Sequence, residues 1–473
     1  MKKKLMNTGL VLLFSFSLLL LGMQIFGGGG RQTVAGVATE TGLYTPRDVL
    51  DLGKVEVHNF QRMGFTKGFV RFSPDSRYLA AGTEDGDILL TTADGQLLWR
   101  RNIGLGKLAA LEFSADGSRL LAGETSQQGG LLCLDVKDGR ELWRHSSVDE
   151  LGVDIKRKTY PGIVAIRSGG NGEVYAVGLR YIRHADGNSE YRGRVYKYSL
   201  TGERLALFPA DHNIDTWVNW LGVDKQAARV VFGTANWSEG VSRYDATMYC
   251  LDGELRQILW QEKLPAVVPY QNPTMRNGPD ITADGRYVSG VVSDGRGFVY
   301  DGGSGRRLWL RTLSRPQQIG GVFVNAVGLY GQTAGSHFLF STGNTYNRAN
   351  WQLPTPFEHP SANSLFIFDR EGTLTGRVSL RGMLEQLSAN DNAVAVAVGR
   401  NVRAKDTAVH GLTLLAIPDG RMLDRLPTEG PCVAAAISAD GNYAAAVEAP
   451  LQLDDGRIIG GYKLWLLQKE QAK

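Results

Sequence analysis

The sequence predicts an all-β fold, an eight-bladed β-propeller, with seven blades as the alternative count. Three observations lead there. A cassette of short apolar runs recurs along the chain as Val70–Trp99, Leu111–Trp143, Ile281–Trp309 and, incompletely, Val433–Leu467. Self-similarity at about 40–50 residues with several strands per copy marks this architecture. The runs are separated by turn residues such as Ala115-Asp116-Gly117 and Lys137-Asp138-Gly139, where Asp-Gly supplies the positive φ of a tight hairpin. Finally, 473 residues with 59 glycines exceed one ordinary domain, whereas a propeller grows by blades that pack only on their neighbours.

The N-terminus reads as an export segment. Met1–Lys4 is basic, Leu5–Phe26 is almost wholly apolar, and Gly27–Gly30 ends the run. Its length approaches the ~20 residues that cross a bilayer. An uncleaved anchor is therefore favoured slightly over a signal cleaved after Ala35 or Ala38. Residues 1–30 are assigned to this signal or anchor, 31–53 to a linker, 54–467 to the propeller and 468–473 to a tail. Either form of the segment places the remainder outside the cytoplasm, periplasmic or at the cell surface. The formal charge is +4 and falls to +1 without Lys2–Lys4, which gives no reason to expect nucleic acid. Cys133 and Cys250 occupy the same strand position of different copies, too far apart to bridge, so the three cysteines are read as buried thiols.

Each blade should contain four antiparallel strands, a to d, from the axis outward. In the best copy these are Leu111–Ser114, Arg119–Glu124, Leu131–Val136 and Glu141–Arg144. The template lays blades at 69–102, 108–146, 162–208, 217–264, 280–313, 321–380 and 386–427, and an eighth begins at Cys432. The eighth ends before a fourth strand, and Val55–Phe60 is the segment expected to supply it and close the ring.

Two motifs carry a family resemblance. Phe113–Leu120, with Phe72–Asp75, Ile281–Gly285 and Ile437–Gly441, resembles the opening of bacterial WD-repeat units. Leu134–Trp143 resembles the tryptophan-docking motif of pyrroloquinoline-quinone-like propellers. Asp301, Gly305 and Trp309 keep its spacing, Gly95 to Trp99 keeps half of it, and Gly253 to Trp260 is stretched by three residues. The resemblance to quinoprotein-like, WD-like propellers covers about 54–467. It implies that Trp99, Trp143, Trp260 and Trp309 tie neighbouring blades together, as large aromatics at fixed outer positions do. Enzymes of that family hold a quinone over a tryptophan floor near calcium, many with an adjacent cysteine pair. This chain has no such pair and no compact acidic cluster, so neither cofactor nor metal is expected. The resemblance points to non-catalytic members that act as envelope-associated scaffolds.

Function is expected in the loops. The a–b and c–d turns share one face and are short, whereas many b–c and d–a connections on the other face are long: 144–161, 181–194, 211–217, 236–247, 265–279, 344–363, 400–410 and 450–460. The candidate binding residues there are Arg183, His184, Tyr191, His212, Trp237, Arg243, Tyr270, Arg276, Tyr346, Arg348, Trp351, His359 and Arg403. Tyr, Trp and Arg are the types enriched at binding hot spots. The loop 344–363, with its three prolines, is the foremost segment. The histidines lack a paired metal-ligand spacing, and Asp211-His212 has no nucleophile assigned to it. The expected function is a non-catalytic extracytoplasmic scaffold for an envelope protein or other ligand, joined to the membrane through its N-terminal segment. A quinone- or metal-dependent oxidoreductase and a carbohydrate-binding module are the alternatives.

Overall fold

The computed structural model describes residues 38–60, 68–104, 106–184, 189–235, 237–238, 241–242, 246–267, 273–319, 321–347 and 357–470. The fold is all-β and propeller-like, built from consecutive antiparallel meanders. The first is Phe69–Phe72, Tyr78–Gly82, Asp87–Thr92 and Leu97–Asn102. The second is Lys107–Phe113, Arg119–Thr125, Gly130–Asp135 and Glu141–Ser146. It is joined to the third, Gly162–Ser168, Val174–Arg183, Ser189–Tyr198 and Arg204–Phe208, by one bridge between Gly162 and Thr125. The fourth is Gly222–Val223, Arg229–Gly233, Ala246–Asp252 and Ile258–Leu264. The fifth is Asp280–Ile281, Tyr287–Val291, Arg296–Asp301 and Arg307–Thr312. The sixth is Val322–Ala334, His337–Asn347, Ser364–Phe368 and Leu374–Ser379, with Gln317–Ile319 added inside. The seventh is Leu384–Ala389, Ala393–Val398, Gly411–Ala416 and Met422–Pro427. The last joins Cys432–Ile437, Tyr443–Glu448 and Lys463–Lys469 to Tyr44–Asp51 from the other end of the chain.

Burial explains the composition of these strands. Middle strands are covered on both faces, and Ala393–Val398 (AVAVAV) is buried throughout. Sheets buried on two faces need continuous apolar runs rather than alternation. The outermost strand Leu97–Asn102 buries only Trp99. Core clusters lie between successive sheets. Leu90 and Trp99 pack on Leu111 and Leu134, and Leu121 and Cys133 pack on Ile166 and Tyr196. Tyr175 packs with Phe232, and Cys250 and Trp260 pack with Phe298. The series returns to its start where Leu50, Ala445 and Leu464 pack on Val70 and Leu79. Neighbouring sheets are stitched near the axis as well: in the a–b turns Lys225 N–H donates to Ala283 O at 3.0 Å, and between inner strands Ala435 N–H donates to Gln386 Oε1 at 3.0 Å.

The closing strand corrects the sequence expectation. Tyr44–Asp51, assigned to the 31–53 linker, is the fourth strand of the last sheet, with Val49 opposite Trp465 and Leu50 opposite Leu464. Its Pro46 sits beside a bulge on an outermost strand, where a missing N–H is tolerated. Val55–Phe60 does not fill that place; within it, His58–Asn59 pairs in parallel with Leu451–Gln452 in a small side sheet. The 468–473 tail also starts inside a strand, since Lys463–Lys469 continues through Gln468. The 181–194 connection is largely an extended hairpin, paired out to Arg183 opposite Ser189. Among the described residues no helix is long and apolar enough to cross a membrane; Leu5–Phe26 lies outside them. Cys133, Cys250 and Cys432 are free and buried, and burial pushes each thiol up to about 12.

Candidate functional site

Four sheet junctions share one interlock. The outermost-strand tryptophan of one sheet donates its Nε1–H to a carbonyl in the c–d turn of the next: Trp99 to Val136 at 2.8 Å, Trp143 to Leu200 at 3.0 Å, Trp260 to Gly302 at 2.9 Å and Trp309 to Arg370 at 2.9 Å. Each indole lies on a turn glycine of positive φ: Gly139, Gly202, Gly305 and Gly372. A Cβ there would come within 2.6–2.8 Å of the ring, so both the φ and the close approach require glycine.

The junction between the third and fourth sheets departs from this. Trp143 stands opposite Cys133, and Trp260 opposite Cys250; at the equivalent place Ala206 stands opposite Lys197. Without an indole to accommodate, the turn holds Leu255 rather than glycine at positive φ, and its side chain is buried. The carbonyl of Gly253 accepts instead from the Tyr175 hydroxyl at 2.8 Å. Lys197, also buried, bonds Glu254 at 2.8 Å and Glu173 at 2.9 Å. Alanine plus leucine do not replace the volume of tryptophan, and a cleft of about 1130 Å³ opens between the two sheets. Ala206, Phe208, Phe232, Tyr249, Leu255 and Ile258 form its apolar lining. Phe232 stacks on Tyr249 with ring centroids 4.9 Å apart. The polar lining includes Asp211, His212, Asn213, Asp215, Arg256, Gln261 and Lys263, and His212 Nδ1 lies 2.7 Å from Asp211 Oδ1.

The structure divides the sequence-derived candidates. Arg183, His184 and Tyr191 gather at the end of the third sheet's long hairpin, where Tyr191 meets the partly exposed ring of Tyr181 at 5.1 Å and His184 lies 3.1 Å from Glu190. His212 belongs to the adjoining connection, tied to that hairpin by the bridge between Gly193 and Ile214 and by the bond from Arg194 Nε to Asn213 at 2.9 Å. Tyr346 and His359 are buried at 5% and 4% exposure, which removes them from a contact surface. His359 closes its own loop: Nδ1 accepts Ser361 N–H at 3.0 Å, Nε2 bonds Arg315 O at 2.8 Å, and burial holds the ring below the usual histidine range. Arg276 is half-buried, its guanidinium held low by burial and partly restored by Tyr346. Arg403 lies apart, on the 400–410 connection, where its N–H donates to Asn401. Arg243, Tyr270, Arg348 and Trp351 lie outside the described residues, and Trp237 is described by its backbone alone. Among the described residues no group of three His, Cys, Asp or Glu is placed to hold a metal ion.

The inner strands carry charged groups that the sequence reading passed over. Glu112 lies 3.8 Å from Arg71 and 3.6 Å from Arg167, whose guanidinium sits 4.6 Å over the Trp220 ring. Asp280 accepts the Thr333 N–H at 2.9 Å and hydroxyl at 3.0 Å, and burial pushes its carboxyl up. Burial pushes Glu385 up to about 7 against the opposing charge of Arg400. A small cavity of about 10 Å³ beside Glu385 is also lined by His58, Arg400 and Val433. The available signal was positional: Arg71, Glu112 and Arg167 recur at matching places of the first three inner strands, just before Phe72-Ser73, Phe113-Ser114 and Ser168.

With this geometry in view, comparison with known proteins is informative about fold. Residues 84–205 match the family model described as outer membrane protein assembly factor BamB. No curated protein matches the chain. Among solved structures, BamB from Moraxella catarrhalis is similar at 13% identity and a TM-score of 0.52, over 91% of this chain and 99% of that one. The β-propeller domain of Myceliophteria thermophila Cps50 (Swd1) aligns at 13% identity and a TM-score of 0.46, over 88% of this chain and 99% of the other. The chain thus resembles the pyrroloquinoline-quinone-like propellers.

Proposed function

We propose that the protein is a non-catalytic, extracytoplasmic scaffold, an eight-bladed propeller that binds an envelope protein through its long-loop face. The observation that carries this reading is the third sheet's hairpin, which extends its ladder to Arg183 and Ser189 and presents Tyr181, Arg183, His184 and Tyr191 together. An aromatic pair flanked by an arginine is hot-spot chemistry on a rigid element. The site thereby moves from the 344–363 loop to this hairpin. The match of residues 84–205 to an assembly-factor family supports a protein partner at the outer membrane. Sheet order supports eight blades, because the last three-stranded unit is completed by Tyr44–Asp51.

A photocrosslinking residue at Tyr191 should yield a discrete protein adduct in living cells, and the same residue at Arg286, on the short-turn face, should not. Loss of the Tyr191 adduct in an Arg183→Ala/Tyr181→Ala background supports the assignment. Equal adducts at both positions, or none at Tyr191, overturn it.

A further inference from the structure

We infer that the cleft between the third and fourth sheets is a binding site for a neutral saccharide. The inference goes beyond the scaffold reading and does not depend on it, because the cleft lies between sheets rather than on the hairpin tip.

From the first sheet to the sixth this junction is the one break in the run of tryptophan interlocks; the later junctions carry Gly376, Asp424 and Asp48 at that place. At four junctions a tryptophan over a glycine fills this space; here Ala206 and Leu255 occupy the two positions and leave it open. Leu255 also prevents any guest ring from adopting the buried pose of the sister indoles, since a Cβ on the corresponding glycines would already press into the ring. A guest must therefore lie farther out, between Phe208 and Tyr249 on one side and the polar lining on the other.

The lining sets the chemistry of that guest. Phe208 and Tyr249 are half-buried and offer aromatic surface, with Phe232 stacked behind Tyr249. The charged lining consists of Asp211, Asp215, Arg256 and Lys263, which balance, so the site selects no net ligand charge. Gln261 and Lys263 project from the exposed outermost strand, and among the described residues their side chains make no bond. Gln261 brings both donors and an acceptor, and Lys263 brings donors. A pyranose matches this arrangement, with an apolar C–H face for the rings and hydroxyls that both donate and accept along its edge. At about 1130 Å³ the cleft stands just above the range of ordinary small-ligand sites, roughly 300–1,000 Å³.

The test is calorimetric titration of the full protein with maltotriose, cellotriose and chitotriose, alongside an array of neutral and charged glycans. Saturable binding of a neutral glycan is expected. Ala206→Trp/Leu255→Gly rebuilds the sister interlock and should weaken that binding at least tenfold while leaving the thermal midpoint unchanged or higher. Gln261→Ala/Lys263→Ala, confined to exposed side chains, should weaken it at least fivefold and covers the case in which the refilled variant fails to fold. Absence of neutral-glycan binding, preference for charged glycans, or undiminished binding by the folded variants overturns the inference.

Discussion

Glu385 shows how a single carboxyl on an inner strand couples stability to pH. Its ordinary value of 4.5 is raised to about 7 in the folded protein, because burial disfavours the charged form more than Arg400 restores it. A raised carboxyl binds its proton more tightly in the folded state. The penalty is thus absent below about pH 4.5, grows as pH rises through the folded value, and is complete above it. Glu385→Gln should stabilise the protein by about 3 kcal/mol at pH 8.5 and by almost nothing at pH 4, as read from denaturant midpoints. An equal effect at both pH values would show that the carboxyl does not titrate as described. The same scale explains the interlocks, where tryptophan and glycine form one unit. Gly372 admits the Trp309 ring because it has no Cβ, and Leu255 is admitted at positive φ because Ala206 puts no ring there.

Among the elements, the closing strand is the one whose loss should cost most. Val49 is buried against the seventh sheet and Leu50 against the first, and the Thr39 hydroxyl and Tyr44 N–H reach Asp424 at 2.8 and 2.7 Å. Val49→Glu would bury an unpaired charge on the strand that joins the two ends. A loss of about 3 kcal/mol or more is expected, with early proteolytic cleavage near residue 44. If cleavage and unfolding midpoint are unchanged, the strand does not hold the ring. Most blades were legible because Asp-Gly turns and Leu-Trp endings punctuate them, as in Leu111–Trp143. The closing strand was missed because Pro46 and Asp48 interrupt its pattern, while Val55–Phe60 alternates more cleanly but pairs elsewhere. The cleft was illegible for a different reason: it arises where a residue type is absent, and only the missing tryptophan near Ala206 and the stretched interval from Gly253 to Trp260 hinted at it. Tyr346 and His359 were misjudged because loop composition does not distinguish a contact residue from one that packs its own loop.

At the scale of the molecule, chain direction fixes orientation. Tyr44 opens the closing strand opposite Lys469, and Glu470 N–H donates to Leu43 O at 2.8 Å, so the closing strand begins, and its partner ends, on the face of the short c–d turns. If residues 1–30 anchor the chain, the third sheet's hairpin points away from the bilayer. A maleimide probe too large to enter narrow spaces should then label a cysteine at His184 faster than one at Asp138 in membrane-bound protein, and both equally once the anchor is removed. Equal rates in the bound form would reject a tether on that face. The ladder between Tyr44–Asp51 and Lys463–Lys469 has a further consequence, in time rather than space. Its first strand emerges from synthesis roughly 400 residues before its partner, an interval of about 20–80 s at ordinary elongation rates. For that period the strand waits without its hydrogen-bonding partner, so the ring cannot close until Lys463–Lys469 is made. Intolerance of truncation into Lys463–Lys469 follows from a ring whose clasp is forged last.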